Sequence, residues 1–108
     1  MSNERVYMLN ALWFTGESGA AQYAEYARAA SPLVERYGGR LSGSFVPDQA
    51  LIGSWDPDLF FVVEWPSWEA FRQLAADPEY HLVAPLRERG LRKSLLLRCR
   101  AADVDLPE

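Results

Sequence analysis

Residues 59–65 read Leu-Phe-Phe-Val-Val-Glu-Trp, fenced by Asp56-Pro57-Asp58 before and Pro66-Ser67 after. A short run of aromatic and β-branched residues between turn formers predicts a strand buried on both faces, with Glu64 its one charge. A second stretch of this kind, Val6–Phe14 (VYMLNALWF), is broken only by Asn10. Two strands that are apolar front and back belong at the centre of a sheet.

The remaining two strands alternate. Arg40–Val46 (RLSGSFV) sets Arg40, Ser42 and Ser44 against Leu41, Gly43 and Phe45, and Ser94–Ala101 (SLLLRCRA) sets Leu95, Leu97 and Cys99 against Arg98 and Arg100. That period predicts half-buried edge strands. Between the first two strands, Tyr23, Tyr26, Ala27, Ala30, Val34 and Tyr37 recur at helical spacing from Ala20 to Tyr37. Ser18 or Thr15 is the expected cap, Pro32 the expected kink or break, and Gly38-Gly39 the stop. After the third strand, Ser67 caps a short helix carrying Phe71, Leu74 and Ala75 inward. Asp77-Pro78 starts another that runs to Gly90. Within it, Pro85 removes the amide that would bond the His81 carbonyl, a local irregularity.

The order strand, helix, strand, strand, helix, strand predicts an α+β, ferredoxin-like βαββαβ fold. Its four-stranded antiparallel sheet has spatial order 4-1-3-2, with the helices on one face. The other face of the central strands must then leave water by a different route. Burial returns roughly 25 cal/mol per Å2 of apolar surface, and a second copy of the same sheet is the natural cover. A homodimer is therefore expected, each protomer one domain with its core at residues 6–101 and a tail at 102–108.

The chain has 108 residues, a net charge of −4 and 13% aromatic residues. An acidic balance excludes a partner bound through its phosphate backbone. No run approaches the ~20 apolar residues of a membrane span, and the first five residues lack the net positive charge of a secretion signal, so a cytoplasmic protein is expected. Cys99 and His81 are each the only residue of their kind. They offer neither an internal disulfide nor a metal cluster, and the expected chemistry uses no cofactor or metal. Of the 11 basic residues only Lys93 is lysine, so a cation in a pocket would be a planar guanidinium.

Gly38-Gly39-Arg40, Gly53-Ser54-Trp55, the stretch Val62-Val63-Glu64-Trp65-Pro66-Ser67-Trp68-Glu69-Ala70, Pro78-Glu79-Tyr80 and Arg87 form a string. Over most of Tyr7–Arg98 this string resembles the DUF1330 family, within the dimeric α+β barrel superfamily. It departs from the family pattern at Trp65, where Phe is usual, at Pro85 and over residues 89–93. The resemblance implies a ligand cavity between the sheet and its own helices. Relatives in the superfamily include cofactor-free quinol monooxygenases, muconolactone-type isomerases, polyketide cyclases and haem-binding chlorite dismutases, so fold alone does not select a reaction.

Three residues are catalytic candidates. Glu64, a carboxylate among apolar neighbours, suits general acid or base work, or else forms a buried ion pair with Arg87. Arg87, two helical turns from Tyr80, suits an anionic oxygen. His81 is the one imidazole, a base or simply a solvated surface residue. Candidate substrate contacts are Asn10, Trp13, Tyr23, Tyr26, Arg40, Trp65 and Tyr80. The superfamily resemblance implies that an inward Asn and Trp polarise a quinol-like substrate, Asn10 serving with Trp13 or Trp65. The expected function is proton transfer at carbon (isomerase, cyclase or lyase type) on a small apolar, oxygenated or carboxylate metabolite. The alternatives are a non-catalytic metabolite-binding or accessory dimer and a quinol-type monooxygenase.

Overall fold

A computed structural model describes residues 4–104 and 106–107. The acidic and basic leader and the expected tail therefore lie partly outside the described residues. Strand β1 spans Val6–Phe14, helix α1 Gly19–Arg36, β2 Arg40–Phe45, β3 Leu59–Trp65, α2 Trp68–Ala76, α3 Pro78–Val83 and β4 Leu91–Cys99. The sheet order is β2-β3-β1-β4, every pair antiparallel, so the two doubly apolar strands are central. This is the expected ferredoxin-like topology.

Register assigns the faces. Asn10 lies opposite Phe61 and Leu96, Met8 opposite Val63, and these side chains face the helices. Tyr7, Leu9, Ala11 and Trp13 alternate onto the outer face, opposite Glu64, Val62, Phe60 and Lys93 in turn. On the helix side, Val6, Met8, Leu33, Trp65 and Leu74 form the buried core, with Tyr37, Phe71, Tyr80 and Val83 packed against it.

Several local expectations need correction. Pro32 does not break α1, which runs unbroken to Arg36. No side chain caps its start. Instead Gly19 meets Gly90 backbone to backbone: a Cβ on Gly19 would fall 2.6 Å from the Gly90 carbonyl oxygen, and Thr15 N–H donates to that same oxygen at 2.8 Å. At the far end Gly38, at φ +88°, supplies the left-handed turn, and Gly39 N–H bonds the Val34 carbonyl. The second and third helices are capped as expected, Ser67 Oγ accepting from Ala70 N–H and Asp77 Oδ1 from Glu79 N–H. The expected helix to Gly90 ends at Val83, and a 3-10 turn over Ala84–Glu88 takes over around Pro85. β4 starts three residues earlier and ends two earlier than its alternation suggests. In β2 a register shift between Leu41 and Gly43 separates residues expected on one face. Arg40 joins the outer face opposite Glu64, while Ser44 joins the helix side opposite Phe61.

Candidate functional site

Between the sheet and the helices lies a cavity of about 750 Å3. Its walls are mostly apolar: Met8, Leu59, Phe61, Val63 and Trp65 from the sheet, with Ala24, Ala27, Phe71 and Leu74 from α1 and α2. Polar groups converge on it from four elements. Tyr23 and Tyr26 come from α1, Asn10 from the central strand β1, Tyr80 from α3, and Arg87 from the 3-10 turn. Tyr23 and Tyr26 sit three residues apart, close to one helical turn, so both aim at the sheet. Tyr80 and Arg87 reach the same space because the tighter turn after Val83 carries Arg87 over β1.

The polar groups bond one another. Arg87 Nη2 donates to Asn10 Oδ1 at 3.3 Å, and Asn10 Nδ2 donates to the Met8 carbonyl at 3.3 Å. The Tyr26 and Tyr80 hydroxyls share a hydrogen bond of 2.7 Å. Aromatic contacts run Phe14–Tyr23–Tyr26–Tyr80, with ring centroids 6.2, 5.3 and 6.4 Å apart. Burial pushes the Tyr23 phenol up to about 12, although the neighbouring Arg87 pulls the other way. Burial, then the bond to Tyr80, holds the Tyr26 phenol far above the usual range. Both hydroxyls therefore keep their protons at neutral pH and can donate them to an acceptor.

Arg87 is the cation of the cavity. Its side chain is only 16% exposed, and among the described residues its one ion pair is with Glu88, at 3.5 Å and 73% exposed. A surface pair of that kind is worth about 1 kcal/mol or less. The guanidinium therefore faces apolar walls and neutral hydroxyls with its charge almost uncompensated. Trp65 lines the same sheet face four residues along β3 from Phe61, the partner of Asn10, and its buried Nε1 finds no hydrogen-bond partner among the described residues.

The remaining candidates stand elsewhere. Glu64 points to the outer face, where Oε1 accepts from Arg40 Nη2 at 3.1 Å and lies 3.9 Å from Arg5 Nη1. It does not meet Arg87. Arg40 sends its guanidinium to Glu64, and only its place at the start of β2 borders the cavity. Trp13 is also on the outer face, where Nε1 donates to Asp56 Oδ1 at 3.0 Å and Lys93 Nζ sits 4.5 Å from the ring centre. His81 is exposed, its Nε2 2.8 Å from the Ala75 carbonyl oxygen, and it ties α3 to α2. Thus Asn10, Tyr23, Tyr26, Trp65, Tyr80 and Arg87 come together, while Glu64, His81 and Trp13 do not join them. Phe61 and Ser44 also line the cavity. Phe61 could have been read from parity, since it shares a strand face with Trp65. Among the described residues no three His, Cys, Asp or Glu side chains form a group able to hold a metal ion, and no helix is long and apolar enough to cross a membrane.

The family model described as a domain of unknown function, DUF1330, matches residues 7–98. A protein of unknown function from Rhodopseudomonas palustris is similar in structure, with 28% identity, a TM-score of 0.83, and 95% of this chain and 86% of that one covered. A dimeric ferredoxin-like protein of unknown function from Jannaschia sp. CCS1 shares 16% identity over 90% of this chain and 99% of that one, with a TM-score of 0.68. SnoaB, a cofactor-independent oxygenase from Streptomyces nogalater, shares 18% identity over 97% of this chain and 99% of that one, with a TM-score of 0.63. No curated protein matches the chain.

Proposed function

The chain belongs to the DUF1330 family, and on that footing we propose that it is a small-molecule enzyme that promotes proton transfer at carbon without a cofactor. Its substrate is an apolar, ring-bearing molecule with one anionic or enolisable oxygen, held in the cavity between sheet and helices. One observation carries this reading: the almost uncompensated Arg87 guanidinium in a mostly apolar cavity.

A largely desolvated cation without a buried counter-ion favours an incoming anion, and its hydrogen bonds strengthen as an enolate oxygen gains charge. Arg87 therefore makes a carbon acid stronger by stabilising its anion, with the Tyr23 hydroxyl beside it as a second donor. The Tyr26–Tyr80 pair keeps a phenolic proton available for return to carbon or oxygen. The apolar walls orient the body of the molecule and exclude water. Glu64 and His81 take no part, so the proton of a carbon that is acidic in its own right passes to a solvent water at the open side of the cavity. A phenol that returns a proton to the anion regains one from the same solvent. SnoaB, a cofactor-independent oxygenase on a similar fold, lends support to cofactor-free chemistry here.

A second reading, a binding protein without turnover, draws on the high phenol values of Tyr23 and Tyr26, which leave those groups unable to act as bases at neutral pH. Hydrogen exchange at carbon separates the two. A cyclic 1,3-dicarbonyl fused to an aromatic ring, followed by proton NMR in D2O, exchanges faster with the protein and not with Arg87→Met if the enzyme reading holds. Saturable binding with no faster exchange selects the binding protein.

The quaternary proposal is a homodimer closed over the outer face of the sheet. Leu9, Phe60, Val62 and Leu95 are half-buried there, and Phe45 and Leu97 remain about half exposed at 56% and 46%. A contiguous apolar face between polar rims is characteristic of an interface. The Jannaschia protein is itself dimeric, which supports a dimer here.

A further inference from the structure

We propose that Asn10 is the positioning residue that sets the charge selectivity of the cavity: its neutral amide fixes the Arg87 guanidinium without cancelling its charge. The inference rests on the reading of the cavity as a site for an anionic oxygen.

Asn10 is 8% exposed in the middle of the central strand. Its Nδ2 donates to the Met8 carbonyl, so Oδ1 must be the atom turned to Arg87. Both ends of the amide are thus engaged by the protein, and Asn10 acts on a ligand through Arg87. Of the five guanidinium N–H groups, one goes to Asn10 and one to Glu88. At least two remain for an oxyanion, even with the Tyr23 hydroxyl alongside. An arginine this far from water ordinarily pairs with a carboxylate. Here an uncharged acceptor takes that place. The other carboxylates on the cavity lining are Glu35 and Asp58. Both are exposed, Asp58 Oδ2 accepts from Phe14 N–H at 2.7 Å, and neither is ion-paired with Arg87 among the described residues. Aspartate at position 10 would have the same reach and accept the same bond, yet it would fill the role reserved for the ligand.

The test uses the whole protein and two probes of matched size, 2-naphthoate and the neutral ketone 2-acetylnaphthalene, titrated by calorimetry. The native chain is expected to bind the naphthoate at least tenfold more tightly than the ketone. Asn10→Asp is expected to erase that ratio while the ketone affinity stays within about twofold. Asn10→Ala, which frees the guanidinium but leaves its charge, weakens naphthoate several-fold more than ketone, and it carries the test if the aspartate variant does not fold. An unchanged ratio in Asn10→Asp, or equal weakening of both probes in Asn10→Ala, overturns the role of Asn10 and leaves the anion site standing. No naphthoate preference in the native chain overturns the anion site and this role with it.

Discussion

Glu64 Oε1 accepts from Arg40 Nη2 at 3.1 Å across the β3–β2 rung, on the sheet face turned away from the helices. The most conspicuous carboxylate in the sequence is thereby a link between strands, and the cavity is left to Arg87. Arg40 is 72% exposed, so solvent screens the pair and its worth is about 1 kcal/mol or less. Glu64→Gln should lower stability to urea by no more than that. It should also leave ligand affinity and carbon-proton exchange unchanged. Denaturation and the D2O exchange assay check both halves.

Asp77 gives the fold an acid-sensitive joint. Tyr37 Oη donates to Oδ2 at 2.5 Å, Glu79 N–H donates to Oδ1, and Arg36 Nη1 reaches Oδ2 at 3.2 Å. The Tyr37 hydrogen bond, then the Glu79 amide, holds this carboxyl below the usual carboxylate range. A folded-state value lowered in this way adds stability above the unfolded value of about 4 and loses it as pH falls through the lower folded value. The melting temperature should thus decline on acidification below about pH 4, and Asp77→Asn should flatten that decline. Thermal melts at closely spaced pH values read it directly.

The cavity phenols set the alkaline limb. Burial raises Tyr23 to about 12, against about 10 when unfolded, so its contribution is complete below pH 10 and is lost as pH climbs toward 12. Ultraviolet titration of tyrosinate should show one phenol ionising near 12 that Tyr23→Phe removes. Ligand affinity should stay level between pH 6 and 9, because neither Tyr23 nor Tyr26 changes charge there.

Leu97 lies opposite Leu9 on the outer face and is nearly half exposed. Leu97→Glu should place a carboxylate inside the proposed dimer contact and weaken association by tenfold or more, since an unpaired charge is costly to desolvate. Sedimentation equilibrium of the native chain and the variant measures it. A native monomer at micromolar concentration would remove the dimer from the picture.

Strand order and the central position of β1 and β3 were readable because both runs are apolar on two faces. Which face the helices cover was not. That choice decides whether Glu64 or its neighbour Trp65 enters the cavity, and alternation guarantees only that they cannot both do so. The same parity separates Asn10 from Trp13. On α3, Tyr80 and His81 are about 100° apart around the helix, and Tyr80 took the inward side. The meeting of Asn10 with Arg87, 77 positions apart, depends on the 3-10 turn at Pro85 and leaves no spacing in the sequence. The bulge after Leu41 likewise moves Ser44 inward without a mark beyond Gly43.

Arg87 as the anion holder is tested most directly by titrating 2-naphthoate into the native protein and into Arg87→Met, with circular dichroism melts run on both. Hydrogen bonds to a charged group contribute about 1.5–3 kcal/mol, which is roughly tenfold to 150-fold in affinity. A loss of that size in a variant that melts at or above the native temperature is the predicted result. Equal affinity in the two proteins would show that the cavity does not hold its ligand through Arg87.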